Sequence, residues 1–394
     1  MVTAITGGKV VTEDGQIIIG TVLIENNRIR NILPCGAQLP LSCRIVDVRG
    51  KYVSPGFIDI HVHGGGGFDF MDGSVSAILN AAKAHLPFGT TALYPTTATS
   101  SEEDLLRTIQ CFQKAQKQEQ APRLLGLHLE GPYIADEQKG AQDAKYLQLP
   151  RREHYLKLME LCPEIARISA APELPGGLEL GDELTRRRIL AAVGHTNAEY
   201  DDMLRACRHG YSHITHLYSG MSMLKRVHGY RKLGVVESAF LMDEYTVEII
   251  ADGKHLPPEL LRLIVKCKRH DQICLITDAM RGMGMPEGSK VALGNSEGGQ
   301  IAYIENGVAV LPDREAFAGS VCSANRCVRT MVQDAGVPLA KAVMMMTQNP
   351  AKIMNCFHNL GSISPGKLAD IIAFDDNIDV AMVMVDGIMQ YPAT

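Results

Sequence analysis

The 394-residue chain predicts an α/β fold, a (β/α)8 TIM-type barrel with a small β-sandwich domain formed from both chain termini. Strand-like apolar runs alternate with helical patterns at roughly thirty-residue spacing, and eight such units close a parallel barrel. Imidazoles and carboxylates recur where those runs end. The two chain ends share a different texture of short strands broken by tight turns.

The N-terminal segment carries Val10-Val11, Ile17-Ile18-Ile19 and Val22-Leu23-Ile24, separated by the turn dipeptides Asp14-Gly15 and Asn26-Asn27. At the other end, Ala369 to Phe374 and Val380 to Val385 precede Asp386-Gly387, a hairpin signal. Neither end buries a core alone, so residues 1–53 and 357–394 are expected to pair as the small sandwich. The barrel is expected over 54–356. Its strands are predicted at Gly56–His63, Thr90–Pro95, Leu124–Glu130, Arg167–Ala171, Ala191–His195, Ser212–Leu217, Thr246–Ala251 and Ile273–Asp278. Helical patterns run from Glu102 to Glu119, Pro150 to Leu161, Asn197 to His209 and Pro257 to His270.

His61-Val62-His63 ends the first strand and breaks into Gly64-Gly65-Gly66-Gly67. Residues i and i+2 of a strand point to one face, so both imidazoles can reach one metal ion. The other predicted strands end in His128 and Glu130, His195, His213 and His216, Asp252, and Asp278. Active sites of this fold lie at the carboxyl ends of the strands. Six ends converging on imidazole and carboxylate suit Zn²⁺ or another divalent transition ion with an open position for water.

Composition narrows the class. A net charge of −5 offers no basic footprint for nucleic acid, and no apolar run approaches the roughly 18 residues of a membrane span. Ten cysteines without a C-x-x-C pair predict reduced, mostly buried thiols and a cytoplasmic protein. His85 and the Met344-Met345-Met346 run read as structural, and Glu173 as a possible support for the site.

The blocks Gly126 to Pro132 (GLHLEGP), Val193 to Thr196, Thr215 to Tyr218, Ile250 to His255 (IADGKH) and Ile276 to Ala279 occur in that order. With Ser54 to Asp59, Phe317 to Ser320, Thr347 to Ala351 and Gly366 to Asp370, they resemble the N-acetylglucosamine-6-phosphate deacetylases of the amidohydrolase superfamily over nearly the whole chain. The resemblance implies deacetylation of an amino sugar phosphate by metal-activated hydroxide, with Asp278 as general base and then acid. It implies Glu130, His195 and His216 as ligands of a principal divalent ion, Zn or Fe, and His61 and His63 as holders of a second, with Glu130 between the two. It places substrate contacts at Ala141, Gln142, Ser219, Gly220, Arg231, Asp252, His255, Phe317, Ala318 and Gly319, and implies a homodimer that completes the phosphate site. The backbone N–H groups of Ser219 and Gly220, with Arg231 and His255, are expected partners for the phosphate.

The chain departs from that family's pattern in three places. Ser219-Gly220 replaces Asn-Ala, and Arg231-Lys232-Leu233-Gly234 replaces an Arg-Glu-Pro-Gly-like string. Gln142 stands where the family commonly has a histidine; it can donate a neutral hydrogen bond but no positive charge. These changes leave open a different acylated amino sugar, such as N-acetylgalactosamine 6-phosphate. A non-enzymatic scaffold has no physical need for the full ligand and acid/base set.

Overall fold

The computed structural model describes residues 2–118, 121–296 and 298–391. Eight parallel strands form the barrel: β1 (Phe57–Val62), β2 (Thr90–Thr97), β3 (Leu127–Glu130), β4 (Ile165–Ala170), β5 (Leu190–Val193), β6 (Tyr211–Ile214), β7 (Thr246–Ile250) and β8 (Ile273–Ile276). They pair in sequence order from β1 to β8. The seam between β8 and β1 is tied differently. The Asp278 N–H donates to the His61 carbonyl at 2.9 Å, and the buried Asp59 carboxylate accepts the Thr277 hydroxyl at 2.5 Å.

Alternation along the strands builds the wall. Leu127 and Leu129 of β3, Ile168 of β4 and Val247 and Ile249 of β7 join the main apolar core, while Glu130, Arg167 and Glu248 at alternate positions are buried and polar. The helix Glu102–Gln116 shows why the surrounding helices stay. It buries Leu105, Ile109 and Phe112 at helical spacing, each contributing about 1.5–3 kcal/mol by leaving water. Its Ser101 cap, which accepts from the Asp104 N–H at 3.1 Å, is worth only about 1 kcal/mol. The observed helices Arg152–Leu161, Tyr200–Arg208 and Pro258–Cys267 sit inside the predicted ranges. Glu119, the predicted end of the Glu102 helix, lies outside the described residues.

Both termini form one further sheet. Its strands run Ile388–Tyr391, Val380–Val385, Ile371–Phe374, Tyr52–Pro55, Val2–Val11, Ile17–Glu25 and Arg28–Pro34 in spatial order, with Cys43–Asp47 beside Val2–Val11. Ile5, Val10, Val22, Val53, Ile371 and Met382 fill its core. The Asp386-Gly387 turn has both φ angles positive, 55° and 73°, as a type I′ hairpin requires.

One further element carries no clear signal in the sequence. Lys290–Leu293, Gln300–Glu305, Val308–Val310 and Phe317–Ser320 make a four-stranded antiparallel sheet after β8. The guanidinium of Arg281 fastens it to the glycine loop after β1, donating to the Ala292 carbonyl at 2.6 Å and pairing with Asp72 at 2.8 Å. No described helix is long and apolar enough to cross a membrane.

Candidate active site

The site residues stand slightly beyond where they were expected. Glu130 closes β3, but His195, His216, Asp252 and Asp278 each lie two residues past the end of their strand, and His63 lies one past β1. His195, His216 and Asp278 have φ of 50°, 25° and 47°. This left-handed backbone is costly for residues other than glycine, and it turns each side chain over the barrel mouth.

There the side chains converge. Glu130 Oε1 lies 2.8 Å from His216 Nε2, 3.3 Å from His195 Nε2 and 3.3 Å from His61 Nε2. Its Oε2 lies 3.3 Å from His63 Nε2. Asp278 Oδ1 lies 3.3 Å from His63 Nε2 and 3.6 Å from His61 Nε2, and those two imidazole nitrogens face each other at 3.3 Å. Donors on one tetrahedral ion at 2.0–2.1 Å stand roughly 3.3 Å apart. The spacing therefore fits a divalent cation, with His61, Glu130 and His216 as one set and His61, His63 and Asp278 as another.

Other contacts orient the ligands. His195 Nδ1 is 2.7 Å from the Gln138 carbonyl, which directs Nε2 inward. Glu173, three residues past the end of β4, accepts the Asn197 N–H at 2.6 Å and the Thr196 hydroxyl at 2.5 Å, holding the turn that carries His195. Beneath the mouth, Glu248 of β7 touches His61 Nδ1 at 3.3 Å and His213 Nε2 at 3.2 Å and pairs with Arg167. The apolar runs of β4 and β7 hid Arg167 and Glu248 from the sequence reading. His128 and His213, expected to join the converging ends, belong to this lower layer. His128 meets Ser169 Oγ at 2.7 Å and Thr96 Oγ1 at 3.1 Å.

Burial and charge compete in this cluster. Burial works against a charged His61, but Glu130 and Asp278 outweigh it and lift its pKa to about 9. His63 is raised well above the usual value against the same burial. Burial would raise Asp278, yet the His61 and His63 charges hold it below the ordinary range. Glu130, opposed in the same way, is held well below by His61 and by bonds from His195 and His216. Burial, with the charges of His195 and His61, pulls His216 below the usual value against the bond and charge of Glu130.

A cavity of about 210 Å³ opens above the cluster, lined by His63, Glu130, Gln142, His195, His216, Asp278 and the loops around them. Of the expected substrate positions, Ala141, Gln142, Ser219, Gly220, His255, Phe317 and Gly319 line it, joined by Gly140, Leu293 and Ala316. Asp252 lies behind His255 and holds its Nδ1 at 2.7 Å. Ala318 is fully buried. Arg231 stands on an exposed hairpin, Lys225–Val227 with Tyr230–Lys232, where its guanidinium donates to the Gly229 carbonyl. It does not line the cavity of its own chain. The Ser219 N–H, expected to meet phosphate, is already donated to the His216 carbonyl at 2.9 Å. Gln142 is anchored as well: its carbonyl accepts the Thr99 N–H at 2.7 Å and its amide donates to Glu130 Oε2 at 2.8 Å.

The sequence profile of the Amidohydrolase family matches residues 52–389. The chain belongs to the amidohydrolase family. An N-acetylglucosamine-6-phosphate deacetylase of Bacillus subtilis is 31% identical over 384 residues, 96% of this chain and 94% of that one. An N-acetylgalactosamine-6-phosphate deacetylase of Escherichia coli is 29% identical over 384 residues, 96% of this chain and 97% of that one. The crystal structure of N-acetylglucosamine-6-phosphate deacetylase from Pasteurella multocida superposes with a TM-score of 0.91 at 28% identity, covering 99% of this chain and all of that one. This amidohydrolase is a metal-dependent amide hydrolase with the barrel-and-sandwich architecture.

Proposed function

We propose that this amidohydrolase converts N-acetyl-D-glucosamine 6-phosphate to D-glucosamine 6-phosphate and acetate, in amino sugar catabolism. The observation that carries the reading is the convergence of three imidazoles and two carboxylates on the floor of one cavity, with the buried His61 against them, in a chain matched over 96% of its length by a deacetylase of that substrate.

Glu130, His195 and His216 would hold the principal divalent ion, Zn or Fe, and His61 and His63 would hold a second, with Glu130 shared by both groups of imidazoles. Glu130 Oε1 contacts His195, His216 and His61 and its Oε2 contacts His63, which supports a carboxylate common to both groups. When bound, such an ion supplies a Lewis acid and makes water ionisable near neutral pH. Asp278 takes the proton of the attacking water and returns it to the departing nitrogen, without which the leaving group would be an amide anion. Asp278 Oδ1, 3.3 Å from His63 Nε2, stands beside the donors of the second ion.

Around the sugar, His255 is oriented by Asp252 and stacked edge-on against Phe317 at 4.8 Å. It presents its other nitrogen as a phosphate partner. The place of Arg231 on an exposed hairpin supports a homodimer in which it reaches the partner subunit's phosphate. All ten cysteines are free thiols, as expected, but only four are buried rather than most of them; reduced thiols support a cytoplasmic location.

The likeness to an N-acetylgalactosamine-6-phosphate deacetylase, together with Gln142 in place of the common histidine, favours the galacto epimer as a second reading. Acetate release from N-acetylglucosamine and N-acetylgalactosamine, each with and without the 6-phosphate, tests both. The highest kcat/KM is expected on N-acetylglucosamine 6-phosphate. Equal rates on the unphosphorylated sugars would contradict the phosphate-binding reading.

A further inference from the structure

We infer that Glu248, clamped by Arg167, is a positioning residue of the metal centre that presets two ligands from different strands. The inference rests on the metal-dependent reading above. Glu248 lies in β7, away from the cavity, and is fully buried, as is Arg167 of β4.

Each oxygen of its carboxylate has a distinct task. Oε2 lies 3.3 Å from His61 Nδ1 and accepts the His216 backbone N–H at 3.2 Å. Oε1 pairs with the Arg167 guanidinium and faces His213 Nε2 at 3.2 Å. A carboxylate on Nδ1 keeps the His61 proton there and leaves the Nε2 lone pair for the ion. His61 matters because its Nε2 belongs to both candidate donor sets. The bond to the His216 amide secures a residue held at φ 25°. Arg167 in turn reaches the Thr215 hydroxyl at 2.8 Å and the Ile60 carbonyl at 3.3 Å, so the clamp joins the residues directly before both ligands.

Metal-stripped wild-type protein and two variants are compared for Zn²⁺ stoichiometry and affinity by competition with a chromophoric chelator. The visible spectrum of the Co²⁺ form is the second readout. Glu248→Asp keeps the charge opposite Arg167 but withdraws the carboxylate from His61 by one methylene. Glu248→Gln with Arg167→Met removes both charges, so that no buried cation is stranded. Each folded variant is expected to bind Zn²⁺ about 10- to 100-fold more weakly than wild type, with an altered Co²⁺ spectrum. Should one variant fail to fold, the other decides. Wild-type affinity and spectrum in a folded variant, or collapse of both variants, would mean a purely structural ion pair and would overturn the inference. Wild-type protein that takes up no ion would overturn the metal reading itself.

Discussion

Asp278 is the residue through which the proposed chemistry stands or falls. Its Oδ1 lies against His63 and His61 and it lines the cavity, so it stands beside the donor set and can exchange a proton with substrate. Asp278→Asn should keep the ion of the Glu130, His195 and His216 set and lose about 10²- to 10⁴-fold in kcat, checked by elemental analysis beside an acetate assay. Near-normal turnover would remove Asp278 from the proton-transfer role. Gly220 marks a second sensitive point. Its φ is 55°, and a Cβ there would lie 2.6 Å from His195 Nδ1 and 2.9 Å from the Gln138 carbonyl, the pair whose bond aims His195. Gly220→Ala should therefore weaken metal binding severalfold in a chelator titration, despite adding a single methyl group. Gln142 was legible as a cavity residue, but its anchoring by Thr99 and Glu130 was not. Such partners come from distant loops, which local spacing does not encode.

At the scale of elements, the eight strands were readable because each is a short apolar run bounded by polar residues, and the strand-end rule then pointed to the site. The overshoot of the predicted strands at His195, His216 and Asp278 has one cause. Their left-handed backbone is imposed by tertiary contacts, such as the Asp278 N–H to His61 carbonyl bond, rather than by local propensity. The sheet spanning Lys290–Ser320 escaped notice because its strands are short and set among glycines. The glycine loop after β1 also depends on a buried neighbour. His85 lies 2.9 Å from the Gly64 carbonyl through Nε2, and burial lowers its pKa from 6.5 to about 4. Below about pH 6.5 the unfolded chain binds a proton that the folded chain refuses. The stability His85 contributes is thus complete above that pH and is lost as pH falls toward 4, by about 3 kcal/mol. His85→Gln, which can still donate to Gly64, should show a shallower fall in Tm between pH 6.5 and 4 than wild type. An unchanged slope would place the acid sensitivity elsewhere.

Across the whole molecule, the barrel brings strand ends far apart in sequence onto one floor, the insert sheet walls the cavity with Leu293 and Phe317, and the terminal sheet leads directly into β1 through Tyr52–Pro55, which pairs with Ile371–Phe374. This architecture was legible from the alternation of textures along the chain. The buried layer of Arg167, Glu248, His128 and His213 was not, because polar residues inside a strand carry no periodic signal until the barrel closes around them. The central claim is that the converging cluster is a metal centre that performs amide hydrolysis. Acetate release from N-acetylglucosamine 6-phosphate, followed while metal is returned stepwise to fully stripped protein, tests it most directly. The rate should start near zero, rise with added Zn²⁺ or Fe²⁺ and level off at one or two equivalents per chain. Full activity in the stripped protein would contradict the account.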